Sequence, residues 1–113
     1  MKLRIVSVVA VALMTMSISA FAANGTAKNG AQIFQSQHCV MCHGMNGKGY
    51  PAIHTPDFTS QKWQAAHSDA EMTQVITDGK KGTQMPAFGS KLDVSQIQDL
   101  VHYIRSLGKA QKQ

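Results

Sequence analysis

The sequence is short of the features that usually mark a fold or a function. Among 113 residues it holds two cysteines, three prolines and seven aromatic side chains, one Trp, two Tyr and four Phe. Two cysteines leave none over for a second zinc knuckle, which a structural zinc site normally needs. Strands alternating with helices in a βαβ pattern are absent, so a thioredoxin-like redox domain is excluded in turn. No internal repeat and no second domain boundary interrupts the chain, and its length suits one domain. Past residue 22 no long apolar run remains and aromatics are few, which suits a core completed by a large flat group.

Acidic residues are also scarce, six against eleven Lys and Arg, a formal charge of +5. Part of that excess belongs to the N-terminus. Residues 1–22 read as a secretory signal peptide: Lys2 and Arg4 open it, Ile5 to Met16 is mostly apolar, and Ala20-Phe21-Ala22 forms an A-x-A cleavage site. The expected mature chain is 23–113, exported to the periplasm. The rival is an uncleaved anchor, since Ile5 to Ala22 nearly reaches the length of a membrane span. Ser7, Thr15, Ser17 and Ser19 dilute that run. Removing Lys2 and Arg4 leaves nine basic against six acidic residues. The remaining basic residues are scattered, which excludes a nucleic-acid footprint and supports at most docking to an acidic partner.

What is present is concentrated in Cys39-Val40-Met41-Cys42-His43. Two thiols separated by two residues, with a histidine directly after, form the attachment pattern for a c-type haem. The thiols add to the two vinyl groups on one porphyrin edge while the adjacent imidazole turns under the ring to the iron. A disulfide or redox pair and a zinc site are the competing readings of the same residues, and both lack the supporting pattern described above.

Around the motif the chain reads as three helices and two loops. Thr26 can cap a first helix, within Asn24 to Gln37, that turns Ala27, Gly30, Ile33, Phe34 and Gln37 inward. Gly30 in mid-helix costs about 1 kcal/mol against Ala and so calls for a close approach by another helix. Gly44 to His67 carries Gly47, Gly49, Pro51 and Pro56 and reads as a wrapped loop whose apolar contacts are Ile53, Phe58 and Trp63. Ser68 and Glu71 form a capping box for a helix through about Thr77, with Met72, Val75 and Ile76 as its buried stripe and Asp78-Gly79 as its end. After a second loop, Lys80 to Leu92, Asp93 and Gln96 cap the last helix. There Ile97, Leu100, Val101, Ile104 and Leu107 recur at helical spacing until Gly108 closes it, leaving Lys109 to Gln113 frayed.

His43 supplies one axial ligand, and the sixth position is open to water, a second histidine or a methionine. Met85 is the best placed, on a loop 42 residues further on and stiffened by Pro86. Met14 and Met16 lie in the leader, Met41 and Met45 sit too close to His43 to reach the opposite face, and Met72 belongs to a helical stripe. His54 and His67 are the fallback for a bis-histidine iron, and His38 and His102 read as surface histidines. A His/Met pair raises the reduction potential and closes the iron to small ligands.

With these residues in place, the chain resembles the small single-haem class I cytochromes c of bacteria over essentially its whole mature length. The resemblance rests on Gly30 and Phe34 ahead of Cys39-x-x-Cys42-His43-Gly44, on Ile76-x-x-Gly79, on Met85-Pro86-Ala87-Phe88 and on Leu100-x-x-Tyr103. It implies an all-α domain wrapped around one covalent haem c, with the first and last helices crossing at right angles. It also implies that the Pro51 carbonyl accepts a hydrogen bond from the His43 imidazole and that Trp63 donates its indole N–H to a propionate. The function implied is a periplasmic electron carrier rather than an enzyme. Its cofactor-binding residues are Cys39, Cys42, His43 and Met85, with His43 and Met85 on the metal. Lys48, Lys80, Lys81 and Lys91 lie in or beside the haem-wrapping loops and can steer an acidic partner. The expected partners are a redox donor and acceptor protein met by a monomer with no stable membrane insertion. The alternatives are a haem protein with a labile sixth ligand, or an anchored haem subunit of an oxidoreductase complex. N-terminal sequencing of the exported protein is expected to begin at Ala23, and an intact leader would select the anchored subunit.

Overall fold

The structure, a computed structural model, describes residues 26–110. The signal-peptide, cleavage-site and residue 111–113 expectations lie outside the described residues. Among the described residues five α-helices follow one another: α1 (Thr26–Ser36), α2 (Val40–His43), α3 (Gln61–Ala66), α4 (Asp69–Asp78) and α5 (Val94–Lys109). A 3-10 turn, Pro51–Ile53, interrupts the loop after α2. Among the described residues there is no strand, and the fold is all-α.

α5 forms because its start and its face are both written locally. The Asp93 carboxylate accepts the Gln96 N–H at 2.8 Å, and the Gln96 side chain accepts the Asp93 N–H at 2.9 Å. This reciprocal box satisfies two backbone donors that would otherwise lack partners. Ile97, Leu100, Val101 and Ile104 are buried along one side. Against that side lies α1, the most extensive contact between any two elements. The crossing is backbone to backbone. A Cβ on Gly30 would overlap the carbonyl of Asp99 and stand 2.7 Å from the Tyr103 Cβ. One turn on, Phe34 is 1% exposed, with its ring edge-on to Tyr103 at 5.2 Å.

α4 adds Met72 and Ile76 to the same core, which Phe58, Phe88 and Leu92 complete from the loops. Only half of the expected capping box forms at its start. Ser68 Oγ accepts the Glu71 N–H at 3.1 Å, but the Glu71 carboxylate turns away to His67 Nδ1, 3.0 Å distant.

Three further expectations are corrected. The segment 44–67 is not all loop, because α3 occupies Gln61–Ala66, capped by Ser60 Oγ, which accepts the Trp63 N–H at 3.2 Å. Ile53 is not an inward contact of that loop, being 44% exposed. Gly108 does not end α5. It is buried inside the last turn, where a Cβ would lie 2.6 Å from Gln64 Cγ. Its missing side chain admits α3, whose Gln61 side chain donates to the Gly108 carbonyl.

Gly30→Ala is therefore expected to destabilise the haem-loaded protein by about 3 kcal/mol through overpacking, a fall in thermal midpoint on the order of 10–20 °C. Asn29→Ala, on the exposed side of the same turn, should stay within about 0.5 kcal/mol. Parallel thermal unfolding of the two variants checks the contrast.

Candidate haem site

α1 ends at Ser36, and the chain enters α2 through His38, whose φ of 62° is left-handed. A non-glycine residue there costs on the order of 1 kcal/mol. The bend brings Cys39 to the start of a new helical turn, in which His43 N–H donates to the Cys39 carbonyl at 2.9 Å. At about 100° per residue, positions 39, 42 and 43 fall on one face. One turn thus presents two thiols and an imidazole together.

The cysteines are free, Cys39 half-buried and Cys42 exposed. Burial pushes the Cys39 thiol above its usual range, with the neighbouring Cys42 adding in the same direction. Reactive C-x-x-C pairs depend on the opposite shift, a lowered thiol pKa. Together with His43 these residues form no group that could enclose a metal ion on its own. The zinc and dithiol readings accordingly lose support on chemical grounds.

His43 lies in an aromatic setting. Its ring stacks on Phe58 with centroids 4.8 Å apart and planes 22° from parallel, and Phe34 stands 6.2 Å away. Two backbone bonds return the loop to make this contact: Gly49 N–H donates to the His43 carbonyl and Phe58 N–H to the Gly47 carbonyl, both at 2.8 Å. Burial holds the imidazole below its ordinary pKa, so the ring is neutral at pH 7 and keeps a lone pair for a metal. Nδ1 is buried without a hydrogen-bond partner. The expected bond from His43 to Pro51 is therefore not formed. Pro51 sits exposed at the first position of the 3-10 turn, and its carbonyl accepts the His54 N–H at 3.1 Å.

Met85 arrives from the other loop and packs, like Cys39, against the single core. Its strip hangs from the C-terminus of α4. Phe88 N–H donates to the Ile76 carbonyl at 2.9 Å and Gly89 N–H to the Thr77 carbonyl at 3.0 Å, satisfying carbonyls that the helix end leaves open. Lys80 N–H donates to the Met85 carbonyl at 3.2 Å, and Thr83 Oγ1 both accepts from Met85 N–H and donates to the Lys80 carbonyl. Met41 and Met45 are 72% and 70% exposed. Of the other histidines, His38, His54 and His102 are exposed, while His67 is stacked on Trp63 at 4.5 Å and bonded to Glu71. Trp63 also leans on Phe58 at 4.8 Å.

Two thiols on one helical face, a neutral, half-buried imidazole and a half-buried thioether are the donor set that a covalent haem uses. The residues fit the group. Residues 25–104 match the family model for cytochrome c oxidase, cbb3-type, subunit III.

The chain belongs to this family. It is a class I monohaem c-type cytochrome, and its cofactor is covalently bound haem c. Similar proteins include the cbb3-type cytochrome c oxidase subunit FixP of Bradyrhizobium sp. (strain ORS 278), 39% identical over 79 residues that make up 70% of this chain and 27% of that one. FixP of Azorhizobium caulinodans is 39% identical over 85 residues, 75% of this chain and 28% of the relative. The chain thus spans about a quarter of the length of these curated relatives. Among solved structures, the KustC0563 c-type cytochrome is similar at 28% identity and a TM-score of 0.63, over 69% of this chain and 95% of that one.

The Met85 strip depends on Gly79, whose φ is 75° and where a Cβ would lie 2.9 Å from the Met85 carbonyl oxygen. Gly82 has a similar φ of 76° but open space around it. Gly82→Ala is expected to cost about 1–2 kcal/mol of backbone strain alone. Gly79→Ala should add a clash and cost roughly 2–4 kcal/mol. Denaturant unfolding of the holoprotein separates the two.

Proposed function

We propose that this chain is an electron-transfer haem domain in which Cys39 and Cys42 would hold the haem while His43 and Met85 would ligate its iron. The observation that carries this reading is the α2 turn, with two free thiols and a half-buried imidazole on one face. Bound haem supplies a one-electron iron couple, and the protein supplies attachment, orientation and electrostatics. Phe34 and Phe58 pack beside the imidazole, and Met85 stands on a strip braced by Thr83. With His43 and Met85 both given to the iron, small ligands would find no open site. The domain then passes electrons without transforming a substrate.

Its place is in an oxidoreductase complex. The similar proteins are named as subunits of cbb3-type oxidases, which favours a haem subunit serving such a complex over a free shuttle between separate partners. The redox components of that complex are the electron partners, and the positive excess of the chain suits acidic docking surfaces. The leader of residues 1–22 would export the domain 23–113 to the periplasm, and cleavage after Ala22 would release the free carrier instead. The Ala20-Phe21-Ala22 pattern is what keeps that second reading in play.

Met85→Ala is expected to open the sixth position and to lower the midpoint potential by a few tenths of a volt, within the range of about 0.8 V that axial ligands span. The ferrous variant should bind carbon monoxide rapidly and the native protein slowly. Potentiometry with visible spectra checks both, and an unchanged spectrum would remove Met85 from the site.

A further inference from the structure

The His43 imidazole has no hydrogen bond at Nδ1 to fix its plane. What faces it is the Phe58 ring, nearly parallel at 4.8 Å, so whatever fixes Phe58 fixes the imidazole. Phe58 belongs to a loop, but its carbonyl is held from outside that loop by Gln64 of α3. Gln64 Nε2 donates to the Phe58 carbonyl at 2.7 Å and to the Ile104 carbonyl of α5 at 2.9 Å, while Gln64 Oε1 accepts from Arg105 at 2.8 Å. Both amide protons and the amide oxygen are thus engaged, and the side chain has one orientation.

Arg105 locks that amide from α5. Its guanidinium also donates to the Gln64 carbonyl at 2.7 Å, to the His67 carbonyl at 2.6 Å and to the Asp69 carboxylate at 2.6 Å. The planar fork of an arginine can serve these acceptors at once, whereas a lysine ammonium cannot reproduce its geometry. Gly108 leaves the space in which the Gln64 side chain lies. A run of fixed contacts therefore leads from α5 through Arg105, Gln64 and Phe58 to the ring of His43.

We propose that Gln64, oriented by Arg105, is a positioning residue that sets the plane of the His43 imidazole through Phe58, and thereby tunes the iron. The inference rests on His43 as an axial ligand. Gln64→Glu keeps the shape and still accepts from Arg105, but it turns a carboxylate oxygen toward the Phe58 and Ile104 carbonyls in place of two donors. Gln64→Met removes the bonds without adding charge, and Arg105→Lys keeps charge but loses the fork.

The test is low-temperature electron paramagnetic resonance of the ferric holoprotein, which reads axial-ligand orientation, together with midpoint potential. Wild-type protein is measured first: without a low-spin haem c signal, the His43 assignment itself fails. Given that signal, Gln64→Met and Arg105→Lys are expected to shift and broaden the largest g component and to move the potential, with Gln64→Glu moving both further. Should Gln64→Glu yield no folded holoprotein, Gln64→Met carries the test. Gln61→Ala is the control, since Gln61 ties α3 to the Gly108 carbonyl without belonging to the Phe58 relay. It should lower thermal stability and leave signal and potential unchanged. Unchanged signals in both Gln64→Met and Arg105→Lys, or an equal change in Gln61→Ala, would overturn the proposal.

Discussion

The backbone contact between α1 and α5 at Gly30 is the constraint on which the rest of the structure depends. Side chains that interdigitate can be repacked, but a helix seated directly on the carbonyl of Asp99 has no room to slide. Once that contact is made, the far end of α1 delivers Cys39 to His43 at a set place beside α5. α5 then serves as the beam for everything else: Tyr103 meets Phe34, the Ile104 and Gly108 carbonyls receive the glutamines of α3, and Arg105 grips the chain between α3 and α4. A domain of this size has a small core, ten buried apolar side chains among the described residues. Directional polar contacts therefore take over part of the positioning that a larger core would give.

Local features were legible in the sequence where their causes are local. The α5 stripe and the Asp93–Gln96 box need only neighbours in the chain, and both form as read. The Ser68–Glu71 box was half legible: the cap forms, but Glu71 is taken by His67, which stacking on Trp63 brings within reach. α3 was not legible because Gln-Lys-Trp-Gln-Ala-Ala shows no apolar stripe. Its side-chain partners lie some forty residues away on α5, and no window along the chain contains both ends of those bonds. Gly108 misled for the same reason, since a glycine near a helix end signals a stop locally but here admits Gln64.

The proposed donor set comes from the sequence, and its surroundings come only from the fold. Cysteine, histidine and methionine announce themselves by chemistry and spacing, whereas the environment of the imidazole depends on how the loop folds back. Phe58 could be read as an apolar contact, but not as the parallel partner of His43. The resemblance places the Pro51 carbonyl on the imidazole. In the fold, a proline at the first position of a 3-10 turn directs its carbonyl to the turn's own closing bond with His54. Spacing fixes which residues are near, and backbone direction decides which of them can bond.

An electron carrier works best when one arrangement of donors serves both oxidation states, so the two sides of the iron must be held with little play. In this chain the two proposed axial donors are held by different means. His43 is held by aromatic stacking and by the α1–α5 crossing, while Met85 is held by backbone hydrogen bonds to the end of α4. The relation between them passes through the contact of α4 with α5, where Met72 and Ile76 join Ile97, Leu100 and Ile104 in one cluster. Cys39 and Met85 both pack against that cluster, so it links the segments that carry the proposed donors as well as stabilising the fold. A cavity made there would alter the separation of the donor segments even in a chain that still folds, which ties the volume of the core to the chemistry at its edge.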